Sequence, residues 1–101
     1  MSIFATLWME DMRLVILRTL ATAPGYSCND SILQNVLGKF AHKCSRDQVR
    51  TALSWLAENT LVTCDVLETG TWIATATQRG IDVAAGNITV PGVKRPGPDE
   101  R

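Results

Sequence analysis

The sequence has no excess of charge. Its ten Lys and Arg residues are matched by ten Asp and Glu, so the formal net charge is zero. That excludes nucleic-acid binding driven by total charge, because neutralising phosphates needs clustered cations. There is one histidine, and the three cysteines, Cys28, Cys44 and Cys64, form no Cys-x-x-Cys pair. No zinc site can be built on that spacing, and three separated thiols fit a reducing cytosol. No apolar run approaches the roughly 18 residues that span a bilayer, so no membrane partner is expected. Residues 1–9 carry Ile3, Phe4, Leu7 and Trp8 but no basic leader, and do not read as a signal peptide. Gly70 and Gly80 stand alone, so there is no glycine-rich phosphate loop. His42 has no evident nucleophile partner, and no carboxylate pair is placed for acid–base work. No enzymatic activity, cofactor or metal is expected.

What remains is a chain of 101 residues, 46% of them hydrophobic, which is enough for one domain with its own core. The most informative stretch is 45–61. The Ser45 hydroxyl can cap a helix while Gln48 reaches back to the Ser45 N–H, a capping box. Val49, Ala52, Leu53 and Leu56 follow at the spacing of one buried helix face. Arg46, Asp47, Arg50, Thr51, Ser54 and Glu58 fall on the other side.

Upstream, residues 1–8 read as a short lead-in. A first helix is predicted from about Leu7 to Ala23, with Met12, Val15, Ile16, Thr19 and Leu20 facing the core and Leu14 and Leu17 widening the stripe. Pro24-Gly25 stops it. Trp8 and the apolar lead-in pack either on the core or on a second subunit. A second helix follows, capped by Ser27 (paired with Asp30) or by Asn29, and carries Ile32, Leu33, Val36, Leu37 and Phe40 at helical spacing. Ala41-His42-Lys43-Cys44 links it to the Ser45 cap.

Downstream, Leu61–Val66 and Thr71–Thr75 are rich in β-branched residues and flank Glu68-Thr69-Gly70, a hairpin turn with glycine where positive φ is needed. Thr77 caps a short fourth helix ending at Gly86-Asn87. The last twelve residues, Val90 to Arg101, hold three prolines and two glycines, and read as an extended, largely mobile tail. The expected division is a domain over 1–89 and a tail over 90–101.

Three helices, a β-hairpin and a fourth helix make a mainly α fold, in the order of a winged helix-turn-helix. Such domains bind DNA most often, and many bind protein. On the DNA reading, double-stranded DNA is the partner and the helix from Ser45 enters the major groove with its N-terminus leading. Lys39, Lys43, Arg46 and Arg50 against Asp47 make residues 39–50 net +3. Arg46 and Arg50, about one turn apart, are the expected base-edge or phosphate contacts, since the arginine fork suits guanine O6 and N7. Ser45, Gln48 and Thr51 add polar contacts, and Lys39, His42 and Lys43 add phosphate contacts. The hairpin tip carries Glu68 and no base, so it contributes through Thr69 and Thr71. Lys94 and Arg95 would act as a basic arm in a minor groove.

Several runs carry a family resemblance: Arg13–Arg18, Ala23–Ser27, Ser45–Arg50, Thr77–Gly86 and Val90-Pro91-Gly92-Val93-Lys94-Arg95-Pro96. The chain resembles small proteins of Mu-like transposable phages and prophages, commonly labelled ArsR-type or winged-helix regulators. The resemblance spans nearly the whole chain. It implies a phage protein made in the cytoplasm of a bacterial host, with a winged-helix fold and a DNA-binding role in transcription. A homodimer is expected on the DNA reading, and docking to a phage or host protein in packaging, assembly or control of a host factor is the alternative use of the fold. Arsenic-type repressors hold a metal with paired cysteines on the third helix. This chain has none there, and Cys44 stands alone before it.

Overall fold

A computed structural model of the chain describes residues 2–97. The elements run α1 (Ile3–Thr22), a 3₁₀ turn (Pro24–Tyr26), β1 (Ser27–Asn29), α2 (Asp30–Lys39), α3 (Arg46–Glu58), β2 (Val62–Val66), β3 (Trp72–Ala76) and α4 (Gln78–Ala84). The fold is mainly helical, with a three-stranded antiparallel sheet in the order β1-β3-β2.

The first helix is longer than its apolar periodicity indicates. Ser2 caps it by accepting from the Ala5 N–H, so the expected lead-in is helical from Ile3. Trp8 packs against the core and beside the His42 ring, whereas Ile3, Phe4 and Leu7 face outward. Farther along, Met12, Leu14, Val15, Ile16, Leu17 and Leu20 are all buried, so α1 is wrapped on most sides. Thr19 turns its hydroxyl back onto the Val15 carbonyl at 2.8 Å.

β1 has no counterpart in the sequence reading. Three residues, Ser-Cys-Asn, pair with Ile73–Thr75 of β3, and the Ser27 and Thr75 hydroxyls meet at 2.6 Å. With Ser27 in a strand, the cap of α2 falls to Asn29, which accepts from the Ile32 N–H. Leu33 and Leu37 are buried, but Ile32 and Phe40 are exposed, so the buried stripe of α2 is narrower than expected. α3 follows the prediction closely: the Ser45–Gln48 capping box forms, and Val49, Ala52, Leu53 and Leu56 are buried. In the hairpin, Gly70 takes φ +86° and its N–H donates to the Leu67 carbonyl. Thr77 caps α4, where Gly80 lies so close to the Leu61 carbonyl that a Cβ there would clash with backbone.

The segment from Val90 to Gly97 is not a free tail. Val90, Val93 and Pro96 are buried. Gly92, at φ +98°, lies flat against the Trp55 ring, where a Cβ would come within 2.4 Å of a ring carbon. The Lys94 N–H donates to the Glu10 carbonyl at 3.2 Å. These residues form a strap across α1 and α3, and they belong to the same packed body as residues 2–89. The turn at Pro91-Gly92 lets the strap lie close, so the proline- and glycine-rich composition serves packing here. The part of the expected tail at 98–101 lies outside the described residues.

Candidate nucleic-acid interface

The N-terminal turn of α3 and the loop before it bring together most of the predicted contact residues. The Ser45 hydroxyl accepts from the Gln48 N–H, and the Gln48 side-chain oxygen accepts from the Ser45 N–H at 2.9 Å. Both side chains are exposed yet occupied in capping. Asp47 sits in the first turn, where a carboxylate favours the positive end of the helix dipole. Thr51 is exposed and donates to the Asp47 carbonyl. Arg46 is exposed, and its Nε donates to the Gln34 side chain at 2.8 Å. Gln34 in turn donates to the Cys44 carbonyl, which ties the loop to α2. Among the described residues Arg46 makes no ion pair. Lys39, in the last turn of α2, and Lys43, in the loop, are exposed as well. These three cations form a corner where α2 ends and α3 begins.

Arg50 has a different place. Its Nε donates to Asp30 at 2.8 Å, its Nη2 donates to the Gly70 carbonyl at 2.9 Å, and its guanidinium lies 5.6 Å from the Trp72 ring centre. Asp30 is 1% exposed. A buried carboxylate needs such a partner, so Arg50 is committed to joining α2, α3 and the hairpin. The expectation that it reaches base edges is corrected on that ground. At the hairpin tip, the Thr69 hydroxyl donates to that of Thr71 at 3.1 Å.

His42 is also misplaced by the sequence reading. It is 4% exposed, with Nε2 donating to Asp11 at 2.6 Å and the ring 5.0 Å from that of Trp8. A buried imidazole cannot touch a phosphate, so its role is to fix the α2–α3 loop on α1. Lys94 meets the other Asp11 oxygen at 3.4 Å. With its backbone held by Glu10, Lys94 is part of the strap and not of a swinging arm. Arg95 is exposed beside it.

The strap is the feature that sequence reasoning missed. Arg13 stacks 4.0 Å from the Trp55 ring centre and its Nη1 donates to the Gly92 carbonyl at 2.9 Å. Burial lowers the Arg13 pKa, against an opposing pull from Glu10. Burial raises all three thiols above their ordinary pKa. Among the described residues no cluster of His, Cys, Asp and Glu is arranged to hold a metal, and no helix is long and apolar enough to cross a membrane.

Comparison with known proteins gives two relatives. The chain is 51% identical over 89 residues to "Uncharacterized protein gp26" of Escherichia phage Mu, covering 88% of this chain and 91% of that one. It is 41% identical over 96 residues to an "Uncharacterized protein" of Haemophilus influenzae, covering 95% of this chain and 93% of that one. No family profile matches the chain. No solved structure matches it.

Proposed function

The chain belongs to the family of the phage Mu protein gp26, and from that premise we propose that it is a phage-encoded DNA-binding protein of winged-helix fold that regulates transcription. In this reading α3 enters the major groove. The observation that carries it is the exposed corner of Lys39, Lys43 and Arg46, set around a capped helix N-terminus and free of acidic partners among the described residues. A net charge of zero is compatible with a local basic corner, since Asp47 is the acid among residues 39–47 beside Lys39, Lys43 and Arg46. The sheet order β1-β3-β2, with its hairpin after the third helix, supports the winged-helix assignment. Arg46 and Thr51 face the groove, Lys39 and Lys43 meet backbone phosphates, and Arg50 sets the angle of the hairpin.

A second reading has its own support. The hairpin tip bears Glu68 and no base, and an apolar turn at Ile3, Phe4 and Leu7 is exposed. A protein-docking module in phage assembly, packaging or host control would show both.

Fluorescence anisotropy with duplex fragments of the encoding phage genome at low salt separates the two. Replacing Lys43 and Arg46 together by alanine is expected to weaken binding at least tenfold. It should also flatten the log–log salt dependence by about 1, near 0.9 for the lost Lys43 phosphate contact. Affinity unchanged by the double substitution removes α3 from the groove. No DNA binding at all, with one protein recovered from infected cells, favours the second reading.

A further inference from the structure

We infer that the cleft where the middle of α1 meets the first turns of α3 is a binding site for a small aromatic carboxylate, one ring bearing one carboxylate group. The cleft has a volume of about 150 Å³. An apolar protein cavity of about that size holds a benzene ring. Its apolar lining comes from Trp8, Met9 and Met12 of α1 and from Ala52 of α3. Met12 and Ala52 are buried, and Trp8 and Met9 are half-buried. Two thioethers and an indole make a soft, polarisable wall that favours an aromatic guest.

The polar groups select the head group. Arg13 lines the same cleft. One face of its guanidinium stacks on Trp55, and its Nη1 donates to the Gly92 carbonyl. What is left is the Nε–Nη2 edge, the fork that takes both oxygens of a carboxylate. Nε is closed to solvent and has no acceptor. Among the described residues no carboxylate lies within ion-pair distance of Arg13. Buried donors are nearly always bonded, so this one marks a place where an acceptor gains most. Burial pulls the Arg13 pKa down, with Glu10 opposing it, and an anion in the cleft would further favour the charged form.

Gln48 lines the cleft from α3 and is exposed. Its Oε1 is taken by the Ser45 N–H, so its amide nitrogen is the part left to offer. Thr51, also in the lining, spends its hydroxyl proton on the Asp47 carbonyl. The spare donors are therefore Arg13 and Gln48, and they call for a ligand whose polar end is made of acceptors. A ring with a carboxylate meets both demands. Inorganic phosphate has no ring for the apolar wall, and a peptide of several side chains exceeds the volume. A water molecule could satisfy Nε alone, and it would make no use of Trp8, Met9 and Met12. Binding needs no DNA, so the inference is tested apart from the DNA reading.

The test is titration of the whole chain with benzoate, followed by the ¹³C-labelled methyl signals of Met9 and Met12. Both are expected to shift saturably, with a dissociation constant between about 10 μM and 1 mM, the range for a ligand of about nine heavy atoms. Acetate, which lacks the ring, and nitrobenzene, the neutral isostere, should each bind at least tenfold more weakly. Gln48→Glu keeps an oxygen for the Ser45 N–H, and so keeps the cap, but replaces the donor by a negative charge. It is expected to weaken benzoate at least tenfold, with melting temperature and nitrobenzene binding retained. Arg13→Gln removes the fork and should abolish the benzoate shifts; where it also lowers the melting temperature, Gln48→Glu decides. No saturable shift up to about 10 mM benzoate overturns the inference and leaves Nε to water. So does nitrobenzene that binds as tightly as benzoate, or a Gln48→Glu variant that binds benzoate like the wild type.

Discussion

Arg46 and Arg50 lie one turn apart on α3, and each has hydrogen-bond partners on α2. Arg46 bonds the neutral Gln34 from an exposed position, while Arg50 neutralises a buried Asp30 and also holds the hairpin through Gly70. The first bond can be exchanged for another partner at small cost, since a neutral side-chain amide near solvent can turn to water. The second cannot, because Asp30 would be left without its partner in a site closed to water. Spacing along a helix puts two cations on similar faces. Which of them is free to bind a ligand depends on the acid at the start of the neighbouring helix.

That contrast can be tested by stability alone. Arg50→Ala should have the largest effect, about 2–3 kcal/mol of destabilisation, the range for stranding a buried carboxylate reduced for the part of Arg50 that water reaches. In a domain of this size each kcal/mol is worth roughly 4–8 °C in melting temperature. Chemical denaturation of Arg50→Lys sharpens the point, because a charge is restored but not the two directed bonds, and recovery should be partial. Ser45→Ala comes next, about 1 kcal/mol, because it opens the N-terminus that presents Arg46. Arg46→Ala should fall within about 0.5 kcal/mol of wild type. A loss there equal to that of Arg50→Ala would mean the two sites are not distinct.

The smallest effect concerns the thiols. Cys28 and Cys64 lie across β3, each paired with Ala74, on the sheet that Arg50 braces, and Cys44 lies in the loop before Arg46. Burial holds all three above the ordinary thiol pKa. The folded state therefore keeps its thiol protons longer than the unfolded chain. Their contribution is complete below the unfolded thiol pKa and is lost as pH rises through the folded values. Denaturation between pH 7 and 10 should show stability falling at the alkaline end, less so in a Cys64→Ser variant. Thiol alkylation near pH 7.5 should be slower than in the unfolded chain.

What was legible in the sequence was local. The Ser45–Gln48 box, the stripe Val49–Leu56, the hairpin turn at Gly70 and the Thr77 cap each depend on residues within a few positions, and each formed. β1 escaped because three residues have no period, and Ser27 looked like a cap until its pairing with Thr75 was seen. The site was less legible for the same reason. His42 reads as a loop cation until Asp11, 31 positions earlier, takes it into the interior. Arg50 reads as a free fork until Asp30 and Gly70 occupy it. Proline and glycine marked residues 90–97 as tail, although Val90 and Val93 are the kind of side chains that a packed strap buries.

The strap also bears on the order in which the molecule assembles. The bond from Arg13 to the Gly92 carbonyl joins positions 79 apart, across most of the chain. Closing so long a loop is entropically costly, and the gain comes only after α1 and α3 have met to hold Arg13 against Trp55. On that ground the helical body is expected to form before the strap docks. A chain that lacks residues 90–97 leaves the stacked pair of Arg13 and Trp55 uncovered.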